Sequence, residues 1–438
     1  MNQKTRFFFV PVAFIFSLGF SAFAGSSDQL LQDIRFAAEG QGVSNAIVML
    51  DGHLAKGGLD QNDRARLVVL RIDFRTRDER EMKLDDDEHI IPDAIKLARK
   101  EIFEPAGVKP EVKLRALDIL HERRRYRTTI LTKIDGDLIQ LAEKALEDPE
   151  LKKNPDMEAA FHMRLGMLWA KRHCSDLALE HYRAAAACSK DPSKKADALF
   201  QGALAARAYR DMKTSSALLD EVSKLENASY EVQKRALLFR GENAIYADEH
   251  SWKPTPERVA EASKYVNEAL SDHSPLVGKP EAIRARIAVI RATAKSGDLA
   301  GAVKAGREMF ESKLKMEQQV RADLAIFIAD TYHEMGDYKR AIAFYEKGLS
   351  GSSIGPKKVN MRIAKSARLG RNFFRAMQAY SEAIRYCDPE EGKDEIKYIT
   401  GLIKQMNKSV RKGSSGFDSD AIFTDTNEDI SGLSLDDE

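Results

Sequence analysis

The chain has 438 residues, with 69 basic and 68 acidic side chains and a formal net charge of +1. This balance gives no general attraction to nucleic acid or to an anionic membrane surface, so neither partner is expected. The three cysteines, Cys174, Cys188 and Cys387, are too few and odd in number for a disulfide framework. We therefore expect three reduced thiols.

The first 24 residues have the pattern of a secretory signal. Lys4 and Arg6 precede an apolar run from 7 to 19, and Ala22-Phe23-Ala24 places small residues before Gly25. We expect cleavage between Ala24 and Gly25 and a periplasmic mature chain. An uncleaved anchor is the alternative, because about 17 apolar residues is the lower limit for a membrane span. No other apolar run reaches spanning length, so no span is expected in the mature chain.

Residues 25–110 are expected to be helical without a clear repeat. Helical apolar spacing runs from Leu30 to Leu50. For residues 64–74 the sequence does not decide between helix and strand. LVVLRIDF can alternate apolar and polar residues as a strand does, although Asn62-Asp63 suits a helix cap. A further helix is expected from Pro92, which a first helical turn tolerates, to Phe103.

Beyond residue 110 the sequence repeats a pattern of two amphipathic helices. The clearest copy, residues 321–355, is hinged at Gly336-Asp337 and places small or aromatic residues where its helices must touch: Ala329, Tyr332, Tyr338, Ala341, Tyr345 and Gly348. Further copies place a small residue at the same point of the second helix. The six positions are Ala178, Ser215, Ala262, Ala302, Ala341 and Ala376. The segment 110–146, closed by Asp148-Pro149, is expected to be a degenerate seventh pair.

This pattern resembles the tetratricopeptide (TPR) repeat, whose period is near 34 residues. The resemblance implies an all-α superhelix, or solenoid, of about six or seven helical pairs, each burying its apolar face on its neighbours. The expected organisation is a signal peptide at 1–24, a helical region at 25–110, a repeat array at 111–391, a capping helix at 392–412 and a disordered acidic tail at 413–438.

In the TPR family, outward positions of the first helices form a partner-binding groove. By alignment, the repeat at 322 offers Ile326, Asp330 and His333. The other expected groove residues are basic: Arg284, Arg291, Lys295, Lys358, Arg362, Lys365 and Arg368. A partly basic groove would suit an acidic peptide or another anionic protein partner. Ordinary solvated charge on exposed helix faces stays open as the alternative. The family's Asn positions for holding a chaperone's C-terminal carboxylate are occupied by other residues: Met167, Arg291, Asp330 and Lys365.

Catalytic and metal-binding patterns are incomplete, so no enzyme, cofactor or metal is expected. His121-Glu122 begins a zinc-protease motif, but Arg125 stands at the second ligand position. Gly351, Ser353 and Gly355 spell a nucleophile elbow but follow a repeat helix instead of a strand. Four further residues have zinc-ligand chemistry: His173, Cys174, His181 and Cys188. Gaps of seven residues put Cys174, His181 and Cys188 about 10 Å apart along a helix, which is too far for one ion. Asp85 to Glu88 suit a helix N-terminus better than a calcium loop.

The expected function is a non-enzymatic protein–protein interaction scaffold of the cell envelope, serving outer-membrane assembly, secretion, polysaccharide export or motility. A peptidoglycan- or polysaccharide-associated binding protein is the alternative, and an enzyme with its site in residues 25–150 is the remote one.

The charge of the tail differs from that of the body. From Gly413 onward there are eight acidic residues and no Lys or Arg, whereas residues 25–412 carry 67 basic against 60 acidic side chains. Residues 415–438 could therefore bind near Lys358, Arg362 and Lys365 or on a partner's basic surface. A purely solubilising tail is the alternative.

Overall fold

The computed structural model describes residues 26–77, 87–123, 131–246, 253–271 and 273–411. Over these ranges the chain forms twenty α-helices and one π-helical turn with no strand, which confirms the all-α prediction. Within the same ranges, no helix has both the length and the apolar character needed to cross a bilayer. The signal segment, Asp85, Asp86, Arg125 and the tail from Gly413 lie outside the described residues.

The chain divides into two compact units, and the division between Ala198 and Leu199 falls inside a helix of the expected repeat array. The helices of the first unit are α1 (Ser26–Gln41), α2 (Val43–Lys56), α3 (Gln61–Arg77), α4 (Asp87–Ala98), α5 (Pro110–Arg123), α6 (Leu131–Leu146), α7 (Pro149–Lys152), α8 (Pro155–Lys171) and α9 (Ser175–Cys188), with the π turn Arg99–Phe103 after α4.

The second unit contains the later repeats. Its helices are α10 (Pro192–Ala208, which begins in the first unit), α11 (Met212–Lys224), α12 (Tyr230–Tyr246), α13 (Pro256–Ala269), α14 (Pro280–Lys295), α15 (Leu299–Glu311), α16 (Gln318–Glu334), α17 (Tyr338–Gly348), α18 (Gly355–Leu369), α19 (Phe373–Ile384) and α20 (Lys393–Arg411).

The segment that the sequence left open, residues 64–74, is helical. Leu67 and Phe74 of α3 pack with α1 and α2 in one apolar cluster. Val68 and Ile72 of the same helix belong to the larger cluster that includes α5 and α6. Because α3 is buried on two sides, its apolar residues form an almost continuous run. That run mimics the alternation of a strand.

Two helix boundaries in the N-terminal region differ from expectation. The stretch from Leu30 to Leu50 is two helices, separated at Gly42, whose φ of +93° is readily adopted only without a side chain. Pro92 does not begin its helix but lies inside α4. Its missing N–H removes one helical hydrogen bond, yet Ile91 and Ile95 are buried beside it and favour the helical geometry.

The six predicted small positions are the helix crossings of the repeats. All six side chains are fully buried at 0% exposure: Ala178, Ser215, Ala262, Ala302, Ala341 and Ala376. Two glycines show how closely the helices approach. A Cβ at Gly166 would lie 2.8 Å from the Tyr182 ring, and one at Gly348 would lie 2.9 Å from the Ala322 carbonyl oxygen. The crossings therefore select small residues by contact distance.

Five of the helical pairs share one turn. The residue before the second helix donates its N–H to the carbonyl five residues back, over 2.8–3.1 Å, at Cys174, Asp211, Asp298, Asp337 and Asn372. The preceding residue has a positive φ in every case: His173, Arg210, Gly297, Gly336 and Arg371. At four of the five, an Asp or Asn side chain also caps the second helix, and Cys174 is the exception. The same turn geometry thus recurs in five helical pairs, although the residues that form it differ.

The last described helix, α20, covers the end of the repeats. Ile399, Leu402 and Met406 are buried in the cluster that includes α18 and α19, while Lys397 and Lys404 are exposed. This amphipathic helix removes the apolar face that an unpaired final repeat would leave open.

Candidate protein-binding surface

The expected groove residues lie on the first helices of three consecutive repeats, α14, α16 and α18, here called the first-helix face. Asp330 of α16 is its central acid. Arg362 of α18 places Nη1 2.5 Å from one carboxylate oxygen, and the Tyr345 hydroxyl of α17 donates to the other over 2.5 Å. Burial raises the pKa of Asp330, and Arg362 opposes that rise. Asp330 and Arg362 therefore join two repeats and leave little of either charge for a partner.

His333 forms a second connection between the same helices. Its Nδ1 lies 2.7 Å from the Ser366 hydroxyl of α18, and its ring meets Tyr338 edge-on at 5.4 Å between centroids. Burial lowers the pKa of His333, and the positive charges of Lys365 and Arg362 lower it further. The neutral imidazole is thus favoured in the folded protein.

The remaining basic residues are mostly exposed. Arg284, Arg291 and Lys295 are exposed on α14, and Lys358 and Lys365 are exposed on α18. Within the described ranges, none of these five forms an ion pair. The Arg291 guanidinium lies 6.0 Å from the centre of the Phe327 ring on α16. The predicted Arg368 is half-buried. The expected groove cations thus fall into two groups. Arg362 stabilises the surface through its ion pair, whereas the five exposed cations face solvent.

One expected groove residue is placed wrongly by the alignment. Ile326 is 5% exposed, and its Cδ1 lies 2.5 Å from the point where a Cβ on Gly348 would stand. Its side chain therefore fills the crossing between α16 and α17, where apolar volume is required, and does not face a partner.

The rejected catalytic patterns have other structural roles. The Ser353 hydroxyl and backbone N–H both donate to Asp323, over 3.1 and 2.8 Å, in the loop between α17 and α18. His121 is buried, with Nε2 3.2 Å from the Lys171 amine. In both cases the side chain makes a contact that links two elements of the fold.

A cleft in the N-terminal region bears on the enzymatic alternative. Asp51, Arg64, Arg71 and Glu101 line it. These charges pair with one another, Arg64 with Glu101 at 2.8 Å and Arg71 with Asp51 at 2.6 Å. These two salt bridges link α3 to α2 and to the π turn that follows α4.

One cluster was missed because sequence spacing was considered along a single helix. His181 and Cys188 of α9 meet Glu158 and His162 of α8. The available signal was a Glu and a His four residues apart, which share a helix face. Only the pairing of α8 with α9 shows that they oppose His181 and Cys188.

The buried small residue at each crossing and the shared turn recur in the same order along the chain. The helical pairs have a TPR-like architecture. No protein-family model matches the sequence, and no curated protein matches it.

Several solved TPR structures resemble the chain. PilF of Pseudomonas aeruginosa is 16% identical, over 57% of this chain and 99% of that one, with a TM-score of 0.37. Apo RapI is 11% identical, over 88% of this chain and 99% of that one, with a TM-score of 0.46. The TPR2AB domain of yeast Sti1, in complex with a pHSP90 peptide, is 16% identical over 57% and 98% of the two chains, with a TM-score of 0.24. At these identities and TM-scores, the comparison with solved structures supports no conclusion beyond the fold that the helical pairs show.

Proposed function

We propose that this TPR chain is a non-enzymatic scaffold whose first-helix face binds an acidic segment of a protein partner. The observation that carries the proposal is the set of five exposed cations without ion pairs among the described residues, Arg284, Arg291, Lys295, Lys358 and Lys365. Exposed cations on the first helices α14 and α18 attract an extended anionic chain and align it along the surface.

Two neighbouring cations off this face form local ion pairs. Lys357, adjacent to Lys358 on α18, pairs with Glu395 at 2.9 Å. Arg375 of the second helix α19 pairs with Glu346 at 2.7 Å. Local ion pairs thus neutralise these positions, and the first-helix face keeps its positive charge.

The network beneath the cations supports binding by preorganisation. The Asp330–Arg362–Tyr345 contacts and the His333–Ser366 hydrogen bond fix α18 against α16 before any partner arrives. A surface that is already ordered loses less conformational entropy on binding. Lys358 and Lys365 are therefore presented from a rigid element.

We place this scaffold in the cell envelope, on the exported side of the inner membrane, as part of a multiprotein machine. The support is the N-terminal pattern, with Lys4 and Arg6, the apolar run and the Ala22-Phe23-Ala24 site. The mature protein recovered from cells should begin at Gly25. An N-terminus at Met1 would contradict the proposed export.

Site-specific photocrosslinking in intact cells tests the binding surface. A photoreactive amino acid at position 358 should crosslink one protein through an acidic segment. The matched control is position 339, an exposed lysine on the second helix α17. Equal crosslinking from both positions, or a partner segment without acidic residues, would contradict the proposal.

A further inference from the structure

The pair α8–α9 brings together four side chains that bind transition metals in other proteins. Ligand atoms of Glu158, His162 and Cys188 all lie within 4.8 Å of one another, and each residue is half-buried. The Nδ1 atoms of His162 and His181 are 3.0 Å apart. Two helices thus contribute a carboxylate, an imidazole and a thiol to one place, and a second imidazole lies beside the first.

The distances fit a single small ion. With ligand bonds of about 2.0–2.3 Å, tetrahedral zinc holds its ligand atoms about 3.3–3.6 Å apart. The ligand atoms of Glu158, His162 and Cys188, which lie within 4.8 Å of one another, need to close by only about 1 Å to reach this separation. His181 contacts His162 at 3.0 Å between their Nδ1 atoms and so can orient its ring.

We propose that Glu158, His162 and Cys188 form a zinc site that joins the two helices of this repeat, with the ring of His162 oriented by its contact with His181. The ligand set excludes Ca²⁺ and Mg²⁺ as the preferred ion, since both select oxygen ligands. Thiolate and imidazole together suit Zn²⁺. The site lies on α8 and α9, which do not contribute to the first-helix face. Its function would be structural, because the ion stabilises the folded pair and the unfolded chain binds it poorly.

The test uses the full chain, reduced and freed of metal, with Co²⁺ as the spectroscopic probe. One equivalent of Co²⁺ should give a thiolate-to-metal charge-transfer band together with the visible bands of a four-coordinate ion. Zn²⁺ should displace it and raise the melting temperature. Cys188→Ser should abolish the charge-transfer band, and His162→Gln should weaken binding by about tenfold or more.

The chain provides a matched control at Cys174, which lies at the other end of the same helix. Cys174→Ser should keep both the band and the affinity. The absence of a thiolate band, its persistence in Cys188→Ser, or its equal loss in Cys174→Ser would overturn the proposal. Circular dichroism of each metal-free variant shows whether it folds. If Cys188→Ser does not fold, His162→Gln decides the matter, and unchanged binding in that variant would overturn the site.

Discussion

Arg362 of α18 lies 2.5 Å from Asp330 of α16, with 30% and 27% of the two side chains exposed. The pair joins the first helices of two consecutive repeats, and Tyr345 of the intervening helix completes it. Charges that sequence alignment assigns to partner binding thus serve partly to hold the binding surface together. Lys358, one helical turn before Arg362, has no such partner among the described residues.

This difference predicts unequal effects on stability when Arg362 and Lys358, one helical turn apart, are replaced. Arg362→Ala removes the partner of a half-buried carboxylate and should lower the free energy of unfolding by about 1–3 kcal/mol. Lys358→Ala removes an exposed, unpaired charge and should change it by less than about 0.5 kcal/mol. Urea denaturation measures both. Equal stability of the two variants would show that the Asp330 pair contributes little.

A larger side chain at a helix crossing should destabilise the folded protein. Ala341 is fully buried, whereas Ala343 on the same helix is exposed. Ala341→Leu should therefore cost about 1–3 kcal/mol through overpacking. Ala343→Leu is the matched control and should be nearly neutral. A silent Ala341→Leu would mean that the repeat register is misplaced.

The shared turn predicts a stabilising substitution. The Asp337 side chain accepts a hydrogen bond from the Arg340 N–H over 3.1 Å, whereas Cys174 caps α9 with no such bond. Cys174→Asp should add about 1 kcal/mol, and Asp337→Ala should remove about 1 kcal/mol. Thermal denaturation at constant pH compares them. A destabilised Cys174→Asp would show that the turn at α9 differs from its equivalents.

Acidification should weaken the His333 connection. Because the pKa of His333 is below its ordinary value of 6.5 in the folded state, the unfolded chain takes up the proton first as pH falls. The contribution of His333 to the free energy of unfolding should therefore be fully present above pH 6.5. It should decline as the pH falls from 6.5 toward the lower pKa of the folded state. Besides Ser366, the groups facing the imidazole are Lys365, Arg362 and Tyr338.

The measurement is the difference between urea denaturation at about pH 8 and at about pH 5.5, a range that spans the histidine titration. His333→Gln keeps a hydrogen-bonding group near Ser366 and has no charge to gain, so it should reduce the pH dependence. If the free energy of unfolding of His333→Gln depends on pH as strongly as before, the pH dependence arises from other groups.

The sequence predicted the helical repeats because their determinants are local. A small residue at each crossing can be read at regular spacing, and the six crossing residues, Ala341 among them, are indeed buried. The segment 64–74 could not be assigned, because burial on two sides of α3 erases the polar face that distinguishes a helix from a strand.

The functional residues were harder to predict, because they depend on contacts between helices. The alignment placed Asp330 and Arg362 on the same surface but could not show that they pair. It assigned Ile326 to the groove, whereas close packing against Gly348 places it in the core. His162 and His181 lie on different helices, and only their packing brings the two rings together.

The central claim is that the first-helix face binds acidic protein segments. The direct measurement is the affinity of a labelled peptide of residues 415–438 for a chain ending at residue 411, by fluorescence anisotropy. Lys358→Glu/Lys365→Glu should lose most of the binding. The control Lys304→Glu/Lys339→Glu, with the same charge change on exposed second-helix positions, should retain it. Binding should also weaken between about 50 mM and about 300 mM salt as charges are screened. Equal loss in both double variants would contradict the account. Absence of binding at low salt would remove the tail as a ligand of this face and leave only an external partner.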